Sequence, residues 1–285
     1  MIPNDLMNQL RYIEVYTRRA VRDHRVGDTR SPIRGRGFEF DQHKRYQHGD
    51  DYRQIDWNVT ARMRHPYVKK DYEEKELSAI IVADLSRSME FASVPQSKRD
   101  LLVQVAAILA FSAASDNMQV GLLGFTDVIE LELPLRKGPG QTWKIMEALW
   151  DTEPGSKRTN FLVPLEHLDT KLKTSTLLFF ISDFINTETV FDSRALKHLA
   201  QKHDLVPMII EDGWEQAMPE GRGFLRLQDA EMGGAMTLNL SRKTRDLYAS
   251  LMRERRAVLE RSLYNLNLDH LFLRAGYPYL DTVTG

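Results

Sequence analysis

One stretch leaves this chain little choice of fold. Leu77 to Met89 reads LSAIIVADLSRSM, and Ala79 to Ala83 form a continuous apolar run closed by Asp84. A run bounded by charge on one side and an acid on the other fits a strand buried on both faces, as in the middle of a parallel sheet. Directly after it stand Asp84, Ser86 and Ser88, an oxygen-bearing side chain at every second position. Loops at the C-terminal ends of buried strands are where open α/β sheets place their ligands. One carboxylate and two hydroxyls make a hard-oxygen set suited to a hydrated divalent cation, magnesium above all. The same residue types also cap helices, so the residues alone leave both readings open.

The buried-run pattern recurs. VGLLGF, Val120 to Phe125, predicts a second strand, and Val128 to Leu133 alternates as its antiparallel partner. TLLFFI, Thr176 to Ile181, predicts a third buried strand and ends in Ser182-Asp183; Leu205 to Ile210 predicts a further one, ending in Glu211-Asp212. Helices are expected at about Ser97–Ser115, through Trp143 to Leu149, and at Leu162–Leu172, Ser193–Gln201 and Ser241–Asn265. Two more strands are expected at Ala235–Leu240 and near His270–Arg274, with Gly213–Gly234 irregular. The order implies a mostly parallel α/β sheet with one antiparallel edge hairpin, flanked by helices.

Residues 1–76 look different. An amphipathic helix is expected over about Asn4–Asp23, with Leu6, Leu10, Ile13, Val15 and Tyr16 on one face. The segment after it is dense in arginine, carboxylate, aromatics and glycine, and Ile55 and Trp57 alternate with polar neighbours as on a half-buried strand. The domain division is therefore 1–76, a charged N-terminal extension packing on the main domain, and 77–285, the main domain. Composition excludes several functions. There is no cysteine, which removes disulfides, thiolate catalysis and cysteine-ligated zinc. No apolar stretch is long enough for a membrane span and the first residues lack a signal core, so a cytoplasmic protein is expected. A net charge of −1 gives no reason to expect nucleic-acid binding.

With Thr159 lying in a polar loop between Asp84 and Asp183, the pattern Asp84-x-Ser86-x-Ser88, then Thr159, then Asp183 resembles the metal-ion-dependent adhesion site (MIDAS) of the von Willebrand factor A fold. That resemblance implies hydroxyl contacts from Ser86, Ser88 and Thr159 to magnesium (manganese and calcium being alternatives). Asp84 and Asp183 would act mainly through water, and the open coordination position would accept a partner's carboxylate. A narrower resemblance covers nearly the whole chain. GRGFEF, RYQHGDDYRQIDWNVTAR and YVKKDYEEKE ahead of the adhesion motif, with EDGWEQAMPEGRGFLRLQDAEMGG after the later strand, are similar to a bacterial family associated with MoxR-type AAA+ ATPases, domain of unknown function fifty-eight. Many relatives have Gly-Thr at the loop threonine, whereas Arg158 precedes Thr159 here, beside the open coordination position.

These resemblances imply a non-enzymatic, magnesium-dependent adaptor. It would work with a MoxR-type AAA+ ATPase in chaperone-like maturation or assembly, gripping a client protein through a carboxylate. Candidate partner contacts are Arg158, Asp50, Asp51, Arg53, Asp56 and Trp57; internal ion pairs and a buried tryptophan would explain the last five without a ligand. The alternative is a metal-dependent hydrolase or phosphate-handling enzyme using the same site. That reading lacks a general base, since no histidine stands in a recognisable relation to Ser86 or Ser88.

Overall fold

The structure is a computed structural model of the 285-residue chain, and it describes residues 7, 9–14, 43–47, 52–63, 65–69, 77–185, 187, 189–228, 234–280 and 283. The chain divides into two compact units, Gly27–Glu76 and the combination of Met1–Val26 with Leu77–Gly285.

In the smaller unit, strand β1 (His43–Arg45) pairs antiparallel with β2 (Tyr67–Lys69), and helix α1 (Trp57–Met63) lies between them in sequence. The strand expected through Ile55 and Trp57 does not form. Ile55 makes a single bridge to Val68, and the chain then turns into α1. The cause is local: the Asp56 carboxylate accepts hydrogen bonds from the Asn58 and Val59 N–H groups, capping the helix start. Trp57, expected to be buried, is 70% exposed.

The larger unit is built on a six-stranded sheet. Its elements run β3 (Ser78–Asp84), α2 (Lys98–Ser115), β4 (Gln119–Phe125), β5 (Ile129–Arg136), α3 (Pro139–Asp151), α4 (Leu162–Lys171), β6 (Leu177–Ser182), α5 (Arg194–Lys202) and β7 (Asp204–Glu211). They continue with α6 (Gly213–Gln216), β8 (Phe224–Gln228), β9 (Ala235–Asn239), α7 (Arg242–Asn265) and β10 (Leu271–Arg274). The spatial order is β10-β7-β6-β3-β4-β5, parallel except for the edge pair β4–β5. The strand expected at Ala235–Leu240 exists, but it pairs with β8 in a separate two-stranded sheet. β8 itself falls in the stretch expected to be irregular. β9 is mostly exposed and Phe224 to Leu227 of β8 alternate between exposed and half-buried, so neither carries the apolar run that marks a buried strand.

β3 is buried along its whole length and pairs with β4 on one edge and β6 on the other. Its side chains alternate between two cores, as the period of a strand requires. Ala79, Ile81 and Ala83 join α2, Ile145 and Leu149 on one face. Ile80 and Val82 join Phe125, Phe161, Leu165 and Leu199 on the other. No helix among the described residues is long and apolar enough to cross a membrane.

Helix α2 is apolar almost all round, which requires cover on every side. Part of that cover comes from Leu10 and Ile13 in the helical stretch 9–14, which pack in the same core. A polar clasp closes over it. The Gln104 amide donates to Gln9 Oε1 at 2.7 Å and its carbonyl oxygen accepts from Gln96 at 2.7 Å and from the Tyr279 hydroxyl. Gln96 in turn accepts from Gly276 N–H at 2.9 Å.

Gly124 sits where β4 passes Leu85, the residue after Asp84. A Cβ there would stand 2.7 Å from Leu85 Cδ1 and 3.2 Å from Leu131 Cβ. Leu85 is buried and cannot swing aside freely. Gly124→Ala is therefore expected to cost about 1–3 kcal/mol through overpacking, measurable as a shift in the urea midpoint.

Candidate metal centre

Parallel neighbours β3 and β6 finish side by side, and their ends set the site. Asp84 is the last residue of β3 and Asp183 follows β6. Asp84 is fully buried; its Oδ1 accepts from Ser86 N–H at 2.9 Å and its Oδ2 from the Ser182 hydroxyl at 2.6 Å. The first bond folds the chain back so that Ser86 and Ser88 lie together, their hydroxyl oxygens 3.1 Å apart. Ser182 accepts from Phe184 N–H at 3.0 Å, and Asp183 Oδ1 accepts from Ile185 N–H at 3.1 Å, shaping the turn after β6. Phe184 sits at φ +50°, a left-handed conformation that costs a non-glycine residue about 1–3 kcal/mol.

The loop holding Thr159 is fastened to the same place. Lys157 C=O accepts from Arg87 N–H at 3.2 Å, between the two serines, and Asn160 N–H donates to Thr126 C=O at 3.1 Å. Glu130 pins the earlier part of this loop by accepting from Thr126, Gly155 and Ser156. Partial burial works against its charge, yet these three donors hold its carboxyl below the usual glutamate range. Phe161 stacks on Phe184 with centroids 5.3 Å apart, tying the Thr159 loop to the Asp183 turn. The structure thus draws Asp84, Ser86, Ser88 and Asp183 into one hydrogen-bonded cluster and places Thr159, half-buried, in a loop tied to it. Arg158 is exposed, and its N–H donates to Ser156 Oγ at 3.3 Å.

The remaining candidates belong to the smaller unit. Asp56 caps α1, Arg53 is exposed with its guanidinium 5.8 Å from the Tyr52 ring centroid, and Trp57 opens α1 on the surface. Asp50 and Asp51 lie outside the described residues.

A lysine completes the site. Lys98, the first residue of α2, is fully buried, with Nζ 2.8 Å from Asp183 Oδ2 and 2.5 Å from Glu215 Oε1. Burial works against its charge, but Asp183 and Glu215 prevail and raise its pKa. Burial likewise pushes Asp183 up, but the Lys98 ammonium, helped by Ser88 and the Ile185 N–H, holds it below the ordinary carboxylate range. Asp84 receives no such help. Burial first, and then the charge of Asp183, push it up to about 7 against the bonds from Ser182 and Ser86.

Asp183 and Glu215 therefore share one ammonium, and Asp84 beside them has none. The cluster is short of positive charge, and its free donors are oxygens, which is the chemistry a hard divalent cation satisfies. Among the described residues no three His, Asp or Glu side chains are grouped to hold a metal. A cation here would depend on the Ser86, Ser88 and Thr159 hydroxyls, with Asp84 and Asp183 supplying charge.

Comparison with known proteins bears on identity. The family described as "Protein of unknown function DUF58" matches residues 42–258, most of the chain. The chain belongs to this family. Two uncharacterized proteins, one from Mycobacterium tuberculosis (strain H37Rv) and one from Mycobacterium bovis, are 28% identical to this DUF58 chain over 276 residues, covering 96% of it and 86% of each relative. Among solved structures, BatB from Bacteroides thetaiotaomicron aligns at 14% identity and TM-score 0.47 over 73% of this chain and 95% of its own. An aerotolerance-related membrane protein from Bacteroides fragilis aligns at 12% identity and TM-score 0.47, over 73% and 96%.

Lys98, Ser182 and Glu215 of this DUF58 chain are absent from the motif reading. For Lys98 a signal existed. Ser97 and Asp100 form a capping box that fixes the start of α2. A lysine in the first turn opposes the helix dipole, so a compensating acid had to be sought elsewhere.

Two expectations follow. Lys98→Met leaves buried Asp183 and half-buried Glu215 without a counter-charge and should cost about 3–5 kcal/mol in metal-free urea unfolding, part of it restored by added magnesium. For Asp84, the folded pKa lies above the unfolded one. Its contribution therefore declines as pH rises from about 4 through about 7, because the unfolded chain gives up the proton first. Asp84→Asn removes that decline. At about pH 8 in EDTA the variant should melt above the unsubstituted protein, while losing any magnesium-induced shift in calorimetry.

Proposed function

We propose that this protein is a non-enzymatic, divalent-cation-dependent interaction adaptor. It would have a von Willebrand factor A-like main domain and an adhesion-type centre at Asp84, Ser86, Ser88, Thr159 and Asp183. The observation that carries the reading is the single hydrogen-bonded cluster of Asp84, Ser86, Ser88 and Asp183 at the ends of adjacent parallel strands. Neutral hydroxyls as the nearest ligands would leave magnesium electron-poor, and such an ion attracts a carboxylate from outside. Asp84 and Asp183 would hold the ion, and the partner's acid would complete its shell.

The hydrolase alternative has less support. A serine nucleophile needs a base within reach. Among the described histidines, His167 is paired with Glu132 and His198 with Asp169, away from the serines in sequence and partner. Ser86 and Ser88 are engaged with each other, and Ser88 with Asp183.

On the resemblance of its motifs, we assign the partner as a MoxR-type AAA+ ATPase together with a client protein. We place both in the cytoplasm, in keeping with a cysteine-free chain. The tagged protein should recover an AAA+ ATPase from native lysate in magnesium, and neither in EDTA nor as Asp84→Asn. The purified adaptor should alter that ATPase's rate without turnover of its own. Equal recovery under all three conditions would move the contact away from the metal centre.

A further inference from the structure

Beside the metal centre lies a cavity of about 170 Å³. Its inner wall is Ile209 of β7, buried, and Phe272 of β10; Met252 and Leu259 of α7 close one side, and Asp183 and Glu215 border the end nearest the centre. An apolar cavity of about 150 Å³ is large enough to admit benzene, so this one has room for one large apolar side chain.

Three arginines, Arg253, Arg255 and Arg256, line it together with three acids, Asp183, Glu211 and Glu215. Arg256 is already committed: it binds Glu211 at 2.8 Å and Glu260 at 3.0 Å, and its guanidinium carbon lies 3.9 Å from the Phe272 ring centroid. Arg253 and Arg255 are different. Their side chains reach only main-chain carbonyls, Ala249 at 3.2 Å and Phe184 at 3.3 Å, and among the described residues neither has a carboxylate partner. The helix that carries them is only partly covered: Leu259 packs on the core, Arg253 is exposed, and of the 24 residues of α7 only Leu263 is fully buried. Its bases, Arg242, Lys243, Arg245, Arg253, Arg255, Arg256 and Arg261, outnumber its acids, Asp246, Glu254 and Glu260. Like charge makes this face a poor surface for a second copy of the same helix and a good one for an acidic segment.

We propose that the cavity and the arginine face of α7 bind an acidic peptide segment of a partner protein. One large apolar side chain of the segment fills the cavity, and flanking carboxylates pair with Arg253 and Arg255. This rests on the interaction reading above, but it uses a separate contact that needs no metal. Apolar anchor and charged rim divide the work: burial of the anchor supplies affinity, and the arginines select the acidic flanks.

The test is fluorescence anisotropy of the full chain with three labelled nonapeptides. One has a central leucine flanked by glutamates, one a central glycine with the same flanks, and one a central leucine flanked by lysines. The glutamate–leucine peptide should bind, with the glycine version about tenfold weaker, the loss expected from one unburied leucine. The lysine version should not bind. Arg253→Glu, on the surface and bonded only within its own helix, should weaken the first peptide roughly fivefold. Leu259→Trp should fill the cavity and erase the preference for leucine over glycine. Met252→Phe serves the same purpose if the tryptophan variant melts early. EDTA and Asp84→Asn should leave peptide binding unchanged.

Failure of the glutamate–leucine peptide to bind at millimolar concentration, or equal binding of the glycine peptide, overturns the proposal. Loss of binding in EDTA also overturns it, by assigning the contact to the metal centre. Sedimentation showing self-association that Arg253→Glu abolishes would assign the face to a second copy instead. Magnesium-independent recovery of an ATPase, by contrast, would sink the adhesion reading and leave this proposal standing.

Discussion

A strand covered on both faces and paired on both edges offers no place for a polar side chain except at its ends. β3 is such a strand, with Ile81 and Val82 serving cores on opposite sides of the sheet and β4 and β6 on its two edges. Apart from Ser78 at its start, which bonds to Thr176, the polar residues this part of the chain contributes come together at the C-terminal end, beginning with Asp84. Because β6 is parallel and adjacent, its own first polar residues, Ser182 and Asp183, arrive at the same height. The site is a direct result of where the apolar runs stop.

The cost of that arrangement is two carboxyls in a dry place, and Lys98 limits it. Its ammonium stabilises the charge on Asp183 and leaves Asp84 to bear the repulsion. One acid is thus held ionised by the protein and the other is left receptive, so the two are not interchangeable. Glu215, on the far side of Lys98, carries this link into α6, and from there the Tyr248 hydroxyl joins α7 by donating to Trp214 C=O at 3.2 Å. The strand ends are thus joined to α7 by a chain of polar contacts.

Much of this was legible in the residues, for a physical reason. Continuous apolar runs ending in acids have few structural solutions, and the runs at Ala79–Ala83, Val120–Phe125, Thr176–Ile181 and Leu205–Ile210 all became sheet strands. Asp84, Ser86 and Ser88 were close enough in sequence for their spacing to speak. What local pattern does not show is pairing at a distance: Lys98 and Asp183 are 85 residues apart, and a lysine in a helix looks the same whether it is solvated or buried. β8 escaped because it follows Met218-Pro219, Gly221 and Gly223, which punctuate loops, and the Ile55–Trp57 alternation misled because Asp56 between them caps a helix.

The clasp at Gln104 changes what counts as the folded body. It gathers Gln9, Gln96 and Tyr279, residues from the beginning, the middle and the end of the chain, over a helix with no polar face of its own. A chain trimmed to begin at Leu77 would retain every strand of the six-stranded sheet. It would also bare the side of α2 that Leu10 and Ile13 cover, opening to water an apolar surface that other copies could share. The sheet positions the candidate site, while the cover of α2 is drawn from residues as far apart in sequence as Leu10 and Tyr279.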